Sequence, residues 1–217
     1  MSKNSVVIVD YGSGNLRSAA KAFEKVVAEQ SMDFDVLVSD KTQDIDNASH
    51  VVLPGQGAFG DCMRGLQNSG LIEALENNIL DKRKPFLGIC VGMQLLADEG
   101  LEHGHHKGLG WIGGKVVPIE PQDKNLKIPH MGWNEHITSA VGEAHAVIKT
   151  IKQGTHFYFV HSYVFEAKDN ICLGRFSYGR EYCAIVGRNN ILGVQFHPEK
   201  SHDHGLALLG NFLSWKP

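Results

Sequence analysis

Neither half of the sequence carries a dense run of lysine or arginine, and the formal net charge is only -3. Nothing therefore points to nucleic acid or to an anionic membrane surface. Cysteine is scarce: Cys62, Cys90, Cys172 and Cys183 fall at irregular spacing with no C-x-x-C pair, which excludes a disulfide framework or a structural zinc site and leaves a thiol for reaction. The start, "MSKNSVVIVDYGSGNL", has only a short apolar segment before charged and turn residues. It reads as neither a signal peptide nor a membrane span, so the chain is expected to be cytoplasmic. No repeat, linker or low-complexity segment interrupts the chain. What is present is ordinary for a soluble globular protein, with 42% hydrophobic and 21% charged residues over 217 positions. One domain, 1-217, is expected, acting on a small substrate or on another protein.

The first half alternates apolar strands with helical stretches. "VVIVD" (6–10) is followed by an amphipathic run over about 15–29, then "FDVLVS" (34–39), "HVVLP" (50–54), "LIEALENNILDKRK" (71–84) and "PFLGIC" (85–90). This predicts an α/β fold with a mostly parallel central sheet, helices on both faces, and strands near 6, 51 and 86 at its centre. After Gly100 the texture changes to "GKVVPIE", "HAVIKTI", "THFYFVHSYVFE", "CAIVGRNN" and "ILGVQFHP" without long helical patterns between them. The C-terminal half is therefore expected to extend the sheet with antiparallel strands. "GRNNILG" reads as a hairpin turn at Asn189 and Asn190, and a final helix runs over about 204–215.

"GICVG" (88–92) is G-x-C-x-G, a thiol nucleophile elbow at the end of a buried strand, followed by the helical "MQLLADE". Flanking glycines permit the sharp turn, and a helix N-terminus would activate Cys90 and offer the Val91 N–H to an oxyanion. Alone, such a cysteine is as readily a core residue. A base is supplied by "GVQFHPEKS" (193–201), where the strand ends at His197, Pro198 stops it, and Glu199 can accept the second imidazole N–H. Each alone reads as a surface residue; placed with the elbow at one sheet edge, Cys90, His197 and Glu199 form a triad. "LPGQGAFG" (53–60) contains G-x-G-x-x-G, yet it follows the third strand, lacks a downstream acidic partner, and "GLGWIG" (108–113) repeats the pattern by chance. It reads better as a loop whose N–H, from Gly57 or Gln56, completes the oxyanion hole.

Other features carry less. "EHGHHKG" (102–108) lacks the spacing that converges metal ligands and reads as a solvated loop. In "HDH" (202–204), Asp203 is a helix N-terminal charge, and "YGSGN" lacks the lysine of a phosphate loop. No metal site is assigned.

With these pieces in place, the chain resembles the class I, triad-type glutamine amidotransferases, through "PGQGAF", "GICVGMQLL" and "GVQFHPEKS". "DYGSGNL", "PHMGWN" (129–134) and "YFVHSY" (158–163) are similar to features of the branch serving histidine biosynthesis. The resemblance implies hydrolysis of glutamine to glutamate and ammonia without a cofactor. It also implies a heterodimer with a (β/α)8 cyclase subunit that receives the ammonia and forms imidazole glycerol phosphate and aminoimidazole carboxamide ribonucleotide. By the same resemblance Cys90 is the nucleophile, His197 the general acid/base and Glu199 its orienting carboxylate. Gln94 contacts the substrate, Ser162 and Tyr163 belong to the strand whose backbone grips its α-amino and carboxylate ends, and Gly55 and Gly57 belong to the oxyanion strand. Many members carry valine where this chain has Gln56, which bears on how readily that peptide turns into its active orientation. Two rivals remain: a glutaminase of the same class serving another synthase, and a standalone cysteine hydrolase or silent interaction module.

Overall fold

The computed structural model describes residues 4–217. In its first half β1 (Asn4–Val9), β2 (Phe34–Ser39), β3 (His50–Gly55) and β4 (Phe86–Cys90) alternate with α1 (Leu16–Glu29), α2 (Thr42–Asn47), α3 (Phe59–Asn68) and α4 (Ile72–Glu76). A one-turn α5 (Val91–Gln94) follows β4. The second half holds β5 (Glu99–Gly100), β6 (His106–Lys107), β7 (Gly114–Pro118), β8 (His130–Glu135), β9 (Ile137–Thr138), β10 (His156–His161) and β11 (Tyr163–Ala167). β12 (Cys172–Ser177), β13 (Glu181–Arg188), β14 (Ile191–Val194) and α6 (His202–Leu213) complete it.

The main sheet has eight strands in the order β2-β1-β3-β4-β14-β13-β12-β9. β2, β1, β3, β4 and β14 run parallel, and β13, β12 and β9 continue antiparallel. Val6 to Val9 are all fully buried, so both pleated faces of β1 are covered, as a parallel strand between helical layers requires. α1 buries Ala19, Ala22, Phe23 and Val26, one stripe of a helix, and Phe23 meets Phe212 of α6 edge-on at 6.3 Å. Asn15 caps α1, its side chain accepting from Ser18 N–H.

The predicted α/β sheet and its antiparallel extension are present, with three differences. Not every later strand joins the main sheet: β8 pairs with β10, and β11, β7, β5 and β6 form a sheet of their own. Alternating apolar residues announce strands but carry no address for the partner. "HAVIKTI" is a series of turns with Val147 and Ile148 buried, its apolar spacing serving a packed loop. The helix after the elbow ends at Gln94 and the chain passes through turns into β5, so a long helix dipole does not act on Cys90. The β13–β14 hairpin turns at Asn189 (φ 54°), while Asn190 is buried and donates to the carbonyls of Ile79 and Lys84.

Candidate active site

Register places the chemistry. Gly55 lies beside Cys90 across β3 and β4, and Val194 lies beside Ile89 across β14 and β4, so the three signature segments leave the sheet side by side at its carboxyl edge. Cys90 takes φ 55°, ψ -113°, the strained turn of a nucleophile elbow. The turn folds back so tightly that a Cβ on Gly88 would lie 2.6 Å from the Gly92 carbonyl oxygen, and one on Gly92 would strike the Leu53 carbonyl. The flanking glycines are therefore steric necessities.

His197 is held by its backbone. Its N–H donates to the Tyr158 carbonyl (2.9 Å), and its carbonyl accepts from the Ser201 hydroxyl (2.6 Å). Pro198 opens the short 3₁₀ turn that brings Glu199 back, with His197 Nδ1 2.8 Å from Glu199 Oε1. Burial alone would lower the imidazole pKa; hydrogen bonds with Cys90 and Glu199, and their charges, outweigh it and hold it up at about 10. The structure thus brings Cys90, His197 and Glu199 together as one unit.

A cavity of about 290 Å³ opens over Cys90, lined among others by Gln56, Gly57, Val91, Gln94, Ser162 and Tyr163. All the expected site residues border it except Gly55 and Glu199, which stand behind Cys90 and His197 respectively. Gln94 spends both amide hydrogens, on the Tyr163 carbonyl (3.1 Å) and Gln195 Oε1 (3.0 Å), leaving its carbonyl oxygen for a ligand. Ser162 and Tyr163 form the corner between β10 and β11, but their carbonyls are occupied. That of Ser162 accepts from Ile119 N–H, and that of Tyr163 from Gln94 and His161.

In the loop after β3, one of the two N–H groups expected to serve an oxyanion is already engaged. The Gln56 N–H is directed at Ser13 Oγ (3.4 Å), away from Cys90, and its carbonyl accepts from Ser13 Oγ (2.8 Å) and Cys62 Sγ (3.4 Å). The Gln56 backbone N–H is therefore engaged by Ser13 in this conformation. A trans peptide points its N–H opposite its carbonyl, so the Gly57 N–H faces away from the Ser13–Cys62 pair; Gly57, at φ 103°, also borders the cavity. Val91, first in α5, has an N–H without a partner inside the helix.

Two residues went unnoticed in the sequence. Gln195, fully buried, points its amide at Cys90 Sγ (3.8 Å); its signal was a polar residue between Val194 and Phe196 in an apolar strand. Glu102 borders the cavity and accepts the Phe59 N–H at 2.6 Å, concealed in a histidine-rich stretch that reads as solvated loop. Of those histidines, His105 pairs with Glu99, and among the described residues no group of three or more His, Cys, Asp or Glu converges as metal ligands would.

An elbow cysteine, a histidine charged by its partners and a buried carboxylate beside a small cavity are the parts of a cysteine-dependent amide hydrolase. The profile of the class-I glutamine amidotransferase family matches residues 7–214. The chain is 52% identical to the imidazole glycerol phosphate synthase subunit HisH of Rhodospirillum rubrum, over 98% of this chain and 99% of that one. It is 48% identical to the same subunit of Brucella abortus (strain 2308), over 98% and 99%. The chain belongs to the class-I glutamine amidotransferases, in the family of HisH subunits of imidazole glycerol phosphate synthase. Among solved structures, PurLQS from Thermotoga maritima shares the fold at TM-score 0.70 and 18% identity, covering 98% of this chain and 99% of that one.

Proposed function

We infer that the chain hydrolyses glutamine to glutamate and ammonia and supplies the ammonia to a cyclase subunit forming imidazole glycerol phosphate and aminoimidazole carboxamide ribonucleotide in histidine biosynthesis. The observation that carries this is the Cys90–His197–Glu199 unit on a cavity with room for glutamine, in a chain about half identical, end to end, to HisH subunits. Cys90 thiolate attacks the side-chain amide carbon of glutamine, and the developing oxyanion is held by the Val91 N–H and the Gly57 N–H. His197 gives its proton to the departing nitrogen, releasing ammonia and leaving a thioester. Once the thiolate is consumed, its share of the charge that held the imidazolium proton is gone and only Glu199 remains, so His197 releases its proton more readily and can then take one from water. Hydroxide adds to the thioester, the thiolate leaves, and glutamate is freed.

The geometry also divides the substrate's ends. Because the carbonyls of Ser162 and Tyr163 are taken, that corner suits the α-carboxylate, through N–H groups and the Ser162 hydroxyl. The Glu102 carboxylate and the Gln94 carbonyl oxygen suit the α-ammonium. On β8, Met131 (66% exposed) and Trp133 (46%) present an apolar face suited to docking the (β/α)8 cyclase as a heterodimer. One contiguous core running from Val6 to Trp215 supports a single domain over 1-217. Four free, buried thiols fit the reducing cytoplasm, and no helix among the described residues is long and apolar enough to cross a membrane.

Glutamate release by the purified chain, alone and with the cyclase plus its ribulosyl formimino carboxamide ribonucleotide, tests this. Strong stimulation by partner and nucleotide, abolished in Cys90→Ala, is the expected result. Full activity without a partner would make the chain an independent amidohydrolase, and retained hydrolysis in Cys90→Ala would sink the triad.

A further inference from the structure

The substrate-facing corner Ser162–Tyr163 is held by a pair of histidines that the triad does not use. His161 ends β10 directly opposite His130 on β8, and the two imidazoles meet at 2.9 Å, His130 Nδ1 to His161 Nε2. The direction of every proton in this chain follows from its ends. Asn134 Oδ1 accepts the Glu135 N–H (2.7 Å), which leaves Nδ2 to donate to the Ser177 carbonyl (2.8 Å) and to His130 Nε2 (3.1 Å). His130 Nε2 is therefore an acceptor, and its proton sits on Nδ1 and goes to His161 Nε2. His161 in turn carries its proton on Nδ1 and donates to the Tyr163 carbonyl at 2.9 Å. Phe159, Phe176 and Tyr178 enclose the His130 ring, the Phe176 ring stacked on it at 5.0 Å. Burial holds both rings well below the usual histidine range, at about 4 for His130 and about 3 for His161, and neutral rings are what an alternating donor–acceptor chain requires.

The Tyr163 carbonyl thus receives two donors, Gln94 from the elbow helix and His161 from β10. Both its lone pairs are spent, so it fixes the corner between the two strands and cannot swing to meet the ligand. We propose that His161 and, through it, His130 are positioning residues for glutamine: the directional chain Asn134–His130–His161 clamps the Tyr163 carbonyl and sets the Ser162–Tyr163 corner against the substrate. The proposal rests on the glutaminase reading above. A clamp on a binding wall acts on substrate affinity, while the bond-breaking groups on the other wall are untouched.

The test is steady-state glutamine hydrolysis by the complex with the cyclase, together with ¹⁵N imidazole NMR of the wild-type chain. His161→Phe keeps a ring and loses the donor; KM for glutamine rises about tenfold, the loss of one ordered hydrogen bond, with a much smaller change in kcat. His161→Asn, which returns an N–H near the Nδ1 position, recovers most of that loss, a rescue that a space-filling role would not give. His130→Leu removes the donor to His161 together with the acceptor for Asn134, leaves the bond from His161 to the Tyr163 carbonyl in place, and raises KM less than His161→Phe does. The spectra show Nδ1–H and bare Nε2 on both rings at neutral pH. An Nε2–H tautomer at His161, or an unchanged KM in His161→Phe, overturns the proposal; should that variant not fold, an unchanged KM in His130→Leu does so. A wild-type complex without glutamine hydrolysis would refute the glutaminase reading instead, leaving the tautomer result to stand by itself.

Discussion

Two walls of one cavity carry imidazoles of nearly equal burial, His197 at 5% exposure and His161 at 7%, and they sit at opposite ends of the histidine range, about 10 and about 3. Desolvation pushes both down. His197 reverses the shift because it faces Cys90 and Glu199, two groups able to carry negative charge, whereas His161 faces another imidazole and a carbonyl. Burial therefore does not set a histidine's task; the charge of its partner does. The triad wall needs a proton it can hold and then release. The other wall needs donors whose direction never changes.

The largest effect expected on this contrast comes from Glu199→Gln, which leaves a hydrogen-bonding group beside His197 and removes the charge. Turnover should drop on the order of a hundredfold or more, and the pH at which the imidazolium deprotonates should fall, seen by NMR titration of the resting protein. An unaltered titration would place the proton's support elsewhere.

Acidity separates the two walls next. His50, His130, His136 and His161 have folded pKa values of about 4, 4, 4 and 3 against 6.5 unfolded. Between those limits the unfolded chain binds more protons, so their contribution is complete above pH 6.5 and is lost as pH falls toward 4 and 3. For His197 the sign is opposite: its contribution is complete below 6.5 and is lost as pH rises through about 10. Urea midpoints from pH 4 to 10 should decline on both sides, the acid side more steeply because several groups act there. A flat acid limb would mean that these histidines are hydrated in solution.

The smallest expected effect is that of Gln195→Leu, similar in volume, which removes the amide near Cys90 Sγ and one partner of Gln94. A loss of about tenfold in kcat/KM corresponds to one buried hydrogen bond. No change would limit Gln195 to packing.

The triad was legible because its parts are local in sequence: a cysteine between glycines after an apolar run, and a histidine two residues from a glutamate with proline between. The orientation of the Gln56 peptide was not. Gln56 and Gly57 are equally plausible on paper, and only the contact with Ser13 and Cys62, 43 and 6 residues away, shows which N–H is free. Glu102 and Gln195 were hidden because a carboxylate in a polar loop and an amide in a strand acquire meaning from what they face.

By itself the sequence determined the parallel strands, the helices between them, the elbow and its base, since each depends on residue type and short spacing. Tertiary structure alone decided which later strands leave the main sheet, which way the Gln56 peptide faces, and that His130 and His161 meet in register across β8 and β10. Those outcomes are settled by long-range pairing, where hydrogen-bond direction and desolvation are imposed by neighbours far along the chain, and no local pattern of residues encodes them.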